Sequence, residues 1–357
     1  MNATNALQGS LDQVWQPFAL IAGLLLIGRV AASDGLFEAV GARLAKLLTN
    51  GVALFASLML LVAIVTAVLN LDTSVVFLTP VLIHAARQRR IKEDAFLYGA
   101  IFMSNGASLL LPGSNLTNIL VLLTSPTSPS TFALRMLVPW IGSIIVITAI
   151  IALWRWEDLR GGTITMADSP PLRWGLGVAG ITLATVFVLS TTKPALWVLI
   201  TGVALVIIQV VAASRLTWSE ARHSLQVATL LTLFMVAVGF GFVARLWTGP
   251  AHLMGAVGPW AAAGIGAGLS NVVNNLPAAV LLSSRPLHHP LALLVGLDLG
   301  PNLVIIGAMS SLLWLRIARG EGASPSIPRF TRLGLLITPC SMLVALAALR
   351  FVLPRSF

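Results

Sequence analysis

Apolar stretches of about 20 residues recur along this sequence, and several are interrupted near the middle by Asn, Asp, Gly and Pro. A stretch of that length spans a bilayer as one helix. Backbone freed at an interruption cannot face lipid, so it must line protein or a water-filled cavity. Together these facts confine the chain to helical membrane architectures whose broken helices meet in the interior. Composition agrees, with 10% charged residues against about 25% in a soluble domain. A single cysteine, Cys340, excludes a disulfide framework and a thiolate metal cluster and reads as a core hydrophobe. No Walker A pattern is present, which argues against ATP hydrolysis by that route. Residues 1–14 are polar and lack a basic start, so no cleavable signal peptide is expected.

Plain runs are expected at Gln16–Ala32, Phe132–Trp154, Trp174–Ser190, Pro194–Ala212, Leu225–Ala244 and Leu333–Val352. Asp34–Thr49, with Glu38, Arg43 and Lys46, reads as an interfacial amphipathic helix. Val52–Ala86 is broken at Asn70-Leu71-Asp72-Thr73. Ala95–Leu123 is broken at Ser104-Asn105-Gly106 and again at Pro112-Gly113-Ser114-Asn115. Val257–Ser284 has a polar centre at Asn271 and Asn274-Asn275, and Leu291–Ile317 is interrupted from Asp298 to Gly307. The loops Thr124–Thr131 and Gly161–Pro171 separate runs.

The order helix, broken hairpin, broken helix, plain helix occurs twice, over residues 15–154 and 225–353. A connector, 155–224, carries a further helix pair at about 174–212. Asn105 stands nine residues before Ser114, as Asp298 does before Gly307, and this register sets Leu116-Thr117-Asn118 over Met309-Ser310-Ser311. The expected fold is an all-α integral membrane protein. Its architecture is that of an inverted-repeat secondary transporter with two re-entrant hairpins, two discontinuous helices and about eight full crossings.

The chain carries 22 Lys+Arg and 12 Asp+Glu, net +10. With the N-terminus outside, this topology puts 16 of the 22 basic residues on one side, among them Arg29, Arg87, Arg155, Arg173, Arg316 and Arg329. Arg135, Lys193, Arg245, Arg285, Arg350 and Arg355 fall on the other. The asymmetry obeys the positive-inside rule. The excess therefore reports orientation in a cytoplasmic (inner) membrane and not a nucleic-acid partner. Most tryptophans, such as Trp15, Trp154, Trp174 and Trp218, flank runs as interfacial anchors do.

Ten of the twelve carboxylates, including Asp34, Glu93 and Asp168, fall in tails, loops or the interfacial stretch; only Asp72 and Asp298 lie inside apolar runs. A carboxylate at that depth costs roughly 2.5–3.5 kcal/mol on insertion scales and marks an ion ligand, a proton carrier or a hydrogen-bonded fixture of a helix break. Hydroxyls and amides gather around both. The candidate substrate- and ion-binding set is Asp72, Thr73, Asn105, Ser114, Asn115, Thr117, Asn118, Asn274, Asn275, Asp298, Ser310 and Ser311. Its oxygens suit a neutral or weakly anionic solute, or Na⁺ at Asp72, Asn115, Asn275 and Asp298; singly, each serves interhelical hydrogen bonding equally well. No metal-ligand spacing links the histidines and no catalytic dyad lies at membrane depth, so neither an enzyme nor a cofactor is expected.

The segments Asn70–Pro80 (Asn-Leu-Asp-Thr-Ser-Val-Val-Phe-Leu-Thr-Pro), Pro112–Asn118 (Pro-Gly-Ser-Asn-Leu-Thr-Asn), Asn274-Asn-Leu-Pro277 and Gly296-Leu-Asp-Leu-Gly-Pro301, continuing to Ser311-Leu-Leu-Trp314, resemble the arsenical pump membrane protein (arsenite permease) family. That family belongs to the ion transporter superfamily, with Na⁺/H⁺ antiporters and citrate or dicarboxylate carriers. The resemblance implies proton-coupled efflux of arsenite or antimonite, with Asp72 and Asp298 carrying the coupling ion. Its alternatives are Na⁺- or H⁺-coupled carboxylate transport and Na⁺/H⁺ antiport. The chain departs from the family at Asn105, where an acidic residue is frequent. It also lacks, before its first repeat, the helix pair that precedes the second. A shortened paralogue with a structural or regulatory role would share that feature. The partners expected are membrane lipid, a small inorganic or anionic solute, H⁺ or Na⁺, an ATPase subunit as the resembling family has, and a second copy of the chain.

Overall fold

The computed structural model describes residues 3–161, 175–191, 193–225 and 227–353. The loop over 162–171, Asp168, Arg173, Trp174 and Arg355 lie outside the described residues. The described residues form helices and no strand. In chain order these are α1 (Ala3–Ser33), α2 (Leu36–Leu47), α3 (Gly51–Val68), α4 (Leu71–Gln88), α5 (Asp94–Ala107), α6 (Leu116–Thr124), α7 (Pro129–Trp154), α8 (Trp156–Arg160), α9 (Leu176–Ser190) and α10 (Ala195–Val211). There follow α11 (Trp218–Ser224), α12 (Val227–Leu246), α13 (Gly249–Ala256), α14 (Pro259–Val273), α15 (Asn275–Leu282), α16 (Pro290–Leu299), α17 (Met309–Gly320) and α18 (Ile327–Val352). A short 3₁₀ turn, Pro112–Ser114, precedes α6, and another, Gly300–Asn302, follows α16.

Local chemistry explains the boundaries. Ser128 caps α7 by accepting from Thr131 N, and Ser326 caps α18; Pro stands in the first turn of both, where its missing N–H is no loss. Thr217 and Glu220 close a capping box on α11. Four helices are long and apolar enough to cross a membrane: Thr4–Ser33, Gly51–Val68, Pro129–Trp154 and Ile327–Val352. A fifth is counted if Leu230–Leu246 and Gly249–Ala256, bent by 75°, form one span. The eight-crossing scheme instead counts α1, α7, α12 and α18, the two shorter apolar helices α9 and α10 and the broken helices α5–α6 and α16–α17, and takes Gly51–Val68 as one arm of a re-entrant hairpin.

Several sequence expectations shift. The first helix begins at Ala3 and not near Gln16, because its polar start is held by tertiary contacts. Ser10 Oγ donates to Val238 O (2.7 Å), and Arg245 donates to Gly9 O (2.7 Å) and to Gln13 Oε1 (2.9 Å). Asp34 lies in the turn between α1 and α2, yet it is buried and not solvent-facing. It accepts from Gly177 N (2.8 Å) and Gln209 Nε2 (2.7 Å), and Arg215 lies 3.6 Å away, tying the α9–α10 pair to the end of α1. Arg89, one of the 16 basic residues that the charge count sets on one side, is buried and donates to Ala45 O and Thr49 O at the end of α2. Trp314 is fully buried and donates to Leu97 O (2.9 Å), away from any interfacial belt. Cys340 is half-buried on α18.

The charged residues sort by end. Arg29–Glu220, Arg87–Glu93, Lys92–Asp158, Arg155–Asp94, Arg329–Asp94 and His84–Glu321 are all pairs among residues that the charge count sets on the basic side. α7 and α18, 26 residues each, run from one end to the other, a rise of about 39 Å.

Candidate functional site

Both hairpins turn on an asparagine with positive φ: Asn70 at 141° and Asn274 at 81°. Few residues other than glycine hold such angles, and Asn does so best because its side chain bonds the local backbone. Asn70 Oδ1 accepts from Thr73 N (2.7 Å), and Asn274 Oδ1 from Leu276 N (3.3 Å), so each tip residue also caps the returning helix. Replacing Asn70 by Ala loses the cap and leaves a β-carbon at a strained φ, a destabilisation of about 2 kcal/mol. Asn70→Gly loses only the side chain, so it is expected to unfold above Asn70→Ala in a thermal melt of the purified protein in detergent.

The two breaks sit opposite these tips. Pro112–Ser114 is a single 3₁₀ turn, after which Asn115 caps α6. Ser114 Oγ donates to Leu111 O (2.8 Å) and Ala67 O (3.1 Å) and accepts from Leu111 N (3.0 Å). Its hydroxyl thus fastens the break to the end of α3. In the second break, Asn275 N donates to Gly307 O (2.9 Å) and Asn274 Nδ2 to Ile306 O (3.1 Å), locking the tip of one element to the break of the other.

Asp298, at the end of α16, is 1% exposed. Its Oδ1 accepts from Thr117 Oγ1 (2.6 Å) and Asn115 Nδ2 (2.9 Å), both at the start of α6. That position also faces the positive end of the α6 dipole. Asn115 Nδ2 further reaches Ser108 Oγ (3.3 Å), and Asn118 Nδ2 donates to Ser108 O (2.8 Å) and Leu111 O (3.1 Å). A second network centres on Asn105: its Nδ2 donates to Asn302 Oδ1 (2.8 Å) and its Oδ1 accepts from Ser310 Oγ (3.2 Å). The two networks interchange. Asn105 and Asp298 are separated by the same number of residues as Thr117 and Ser310, and each of the first pair bonds the hydroxyl near the start of the half-helix in the other half of the chain.

Several buried atoms here have no partner among the described residues: Asp298 Oδ2, Thr73 Oγ1, Asn118 Oδ1, Ser311 Oγ and Asn70 Nδ2. Buried polar groups are normally satisfied, and four of these five are oxygens, the ligand type that Na⁺ or a hydrated proton takes. Asp72 is only partly buried, in the first turn of α4, and has no ion-pair partner among the described residues.

A small cavity of about 30 Å³ lies where these elements meet. Leu71 and Asp72 line it from one tip and Asn274, Asn275 and Leu276 from the other. Asn115 and Leu116 line it from the first break and Ala308, Met309 and Ser310 from the second. Asp72, Leu233 and Met309 also line a cavity of about 210 Å³ that extends to Arg316, and Leu313 and Arg316 line a wide one of about 740 Å³ with Arg29, Arg222 and His223. Shared lining residues thus set the small cavity beside larger ones toward the basic end. An apolar cavity of about 210 Å³ near Pro112 and Gly113 shares no lining residue with it.

Of the candidate residues, Asp72, Asn115, Asn274, Asn275 and Ser310 line the small cavity. Thr117, Asn118, Asp298 and Asn105 stand in the networks behind it, Thr73 and Ser311 are buried with free hydroxyls, and Ser114 is held in its turn. Sequence reasoning passed over Asn302 and Arg316 as binding candidates. Asn302 sits in a break where any polar residue would draw notice. Arg316 lies at the end of an apolar run, and only the fold turns it into the same cavity as Asp72.

Two hairpins and two broken helices converging on one interior cavity define a helical membrane transporter. The match to the citrate transporter family model (CitMHS) over residues 3–295 makes the assignment specific: the chain belongs to that family. It is 29% identical to an uncharacterized transporter of Mycobacterium bovis, covering 94% of this chain and 85% of the relative. It is 25% identical to the arsenical pump membrane protein of Escherichia coli strain K12, covering 94% and 86%. The solved structure of the YdaH transporter of Alcanivorax borkumensis shares the fold, with a TM-score of 0.62 over 96% of this chain and 86% of that one at 15% identity.

Proposed function

We propose that the protein is a secondary active transporter of the cytoplasmic membrane that exports arsenite or antimonite, driven by inward proton flow. The observation that carries this reading is the single cavity shared by both tips and both breaks, with Asp72 on its wall and Asp298 directly behind it. Arsenite is mostly the neutral trihydroxide at neutral pH. It offers and accepts hydrogen bonds, which the amides and hydroxyls of Asn115, Asn275 and Ser310 match without a basic residue. Asp72 and Asp298 carry the proton, and the two halves are inverted repeats with the N-terminus outside and the basic end cytoplasmic. The likeness to the arsenical pump membrane protein of Escherichia coli supports the substrate.

A second reading, Na⁺- or H⁺-coupled transport of a carboxylate, draws on the family description and on Arg316, which is exposed, lines a cavity with Asp72 and has no ion-pair partner among the described residues. Arsenite accumulation in a sensitive bacterial host separates the two. Expression is expected to lower internal arsenite several-fold. Unchanged accumulation together with Na⁺-dependent citrate uptake would favour the second reading.

A further inference from the structure

At the end opposite the basic cluster lies a cavity of about 450 Å³. The loop before α16, the loop between α6 and α7, and the last turns of α18 enclose it. The two loops are clasped by Leu287 N donating to Ser125 Oγ (3.0 Å). Among the described residues, Arg135, His288 and His289 line this space and no carboxylate does; Arg285 and Arg350, the other described charged residues of the enclosing segments, are not on its wall.

Two features make it a site and not a crevice. Arg135 is partly buried on the wall of this space and has no hydrogen-bond or ion-pair partner among the described residues, which leaves its guanidinium able to take an acceptor from the cavity. His289 Nδ1 is buried and has no partner either. The His288 and His289 rings stand edge to face with centroids 6.5 Å apart. The first turn of α16, Pro290 to Ala292, opens onto the same space and adds the positive end of its dipole. Two imidazoles without a third ligand do not make a metal centre, and the described residues contain no group of three or more metal-ligating side chains.

We propose that this cavity binds a small oxyanion, with Arg135 as the fixed charge and His288 and His289 as titratable donors. The oxyanion is either free in solution or the phosphate of a lipid headgroup. Binding there would hold the α15–α16 loop to the α6–α7 loop, at the base of the elements that carry Asp298 and Asn115. Burial, and then the neighbouring His288, push His289 below its ordinary value, so the site gains charge as the pH falls and binds anions more tightly in acid.

Thermal unfolding of the purified chain tests this, with sulfate as probe because its charge is constant between about pH 5.5 and pH 8. One arm titrates sulfate in lipid-free detergent. The other compares nanodiscs of phosphatidylglycerol with those of phosphatidylcholine. Stabilisation by sulfate, stronger at the lower pH, identifies a free oxyanion; stabilisation by phosphatidylglycerol alone identifies a headgroup. In either case Arg135→Gln and, independently, His289→Asn weaken the response about tenfold, whereas Arg285→Gln leaves it unchanged. The proposal is overturned if neither ligand stabilises the protein, or if both variants respond as the unmodified chain does.

Discussion

Asp298→Asn is expected to abolish proton-driven arsenite transport while leaving the protein folded in the membrane. Asparagine has the shape of aspartate and can still accept from Thr117 Oγ1 and Asn115 Nδ2 through its carbonyl oxygen. What it cannot do is carry a proton or balance a cation. A buried carboxylate with one oxygen satisfied and the other, Oδ2, without a partner in the protein is costly to keep in an apolar interior. That cost is offset when a proton or Na⁺ binds, and in the proposed transport cycle this binding is the coupling step. The expected loss is about 100-fold or more in gradient-driven flux, equivalent to roughly 3 kcal/mol. Flux in vesicles at matched expression, with size-exclusion chromatography to check folding, reads both halves of the expectation. Full retention of pH-driven transport would remove Asp298 from the coupling mechanism.

The second large effect is structural. α14, the first arm of the second hairpin, packs on α16 through small residues: a β-carbon on Gly296 would overlap the carbonyl oxygen of Ala263, and one on Gly300 would overlap Ala267. Close backbone approach of this kind is how helices associate in lipid, where no hydrophobic force draws them together. Gly296→Leu cannot be relieved by a rotamer change, because the obstacle is backbone. It is expected to destabilise the protein by about 3 kcal/mol or more and to part α16, which carries Asp298, from the hairpin that carries Asn274. Loss of the monodisperse peak in detergent would be the sign. A normal peak with normal transport would show that the seam tolerates separation.

Much of this site was legible in the sequence because membrane chains carry few polar groups, and each one at depth needs a reason. Asn70, Asp72, Asn115, Asn274 and Asp298 announced themselves by interrupting apolar runs, and the structure gathers their segments around one cavity. The spacing match between Asn105 and Asp298 reappears as two interchanged hydrogen bonds, to Ser310 and to Thr117.

What stayed hidden depends on distant pairing. Asp34 read as a loop carboxylate because its partners, Gly177 and Gln209, lie more than a hundred residues onward. Arg89 sits in a basic run that topology explains well enough, and nothing local reveals that its guanidinium closes the end of α2. The polar start of α1 gave no apolar signal because its contacts, Ser10 with Val238 and Gly9 with Arg245, are hydrogen bonds made by α12. Arg316 keeps the company of the basic end, with Arg29 and Arg222, and only the fold shows that it also shares a cavity with Asp72.

The central claim is that the cavity between the two tips and the two breaks moves a neutral metalloid against a proton. Its most direct test is arsenite uptake into everted membrane vesicles under an imposed pH gradient, acid inside, with citrate and Na⁺ in parallel. The account predicts arsenite accumulation that requires the gradient, disappears in Asp298→Asn and is indifferent to Na⁺. Equal arsenite in expressing and empty vesicles, with citrate accumulating on a Na⁺ gradient, would contradict it.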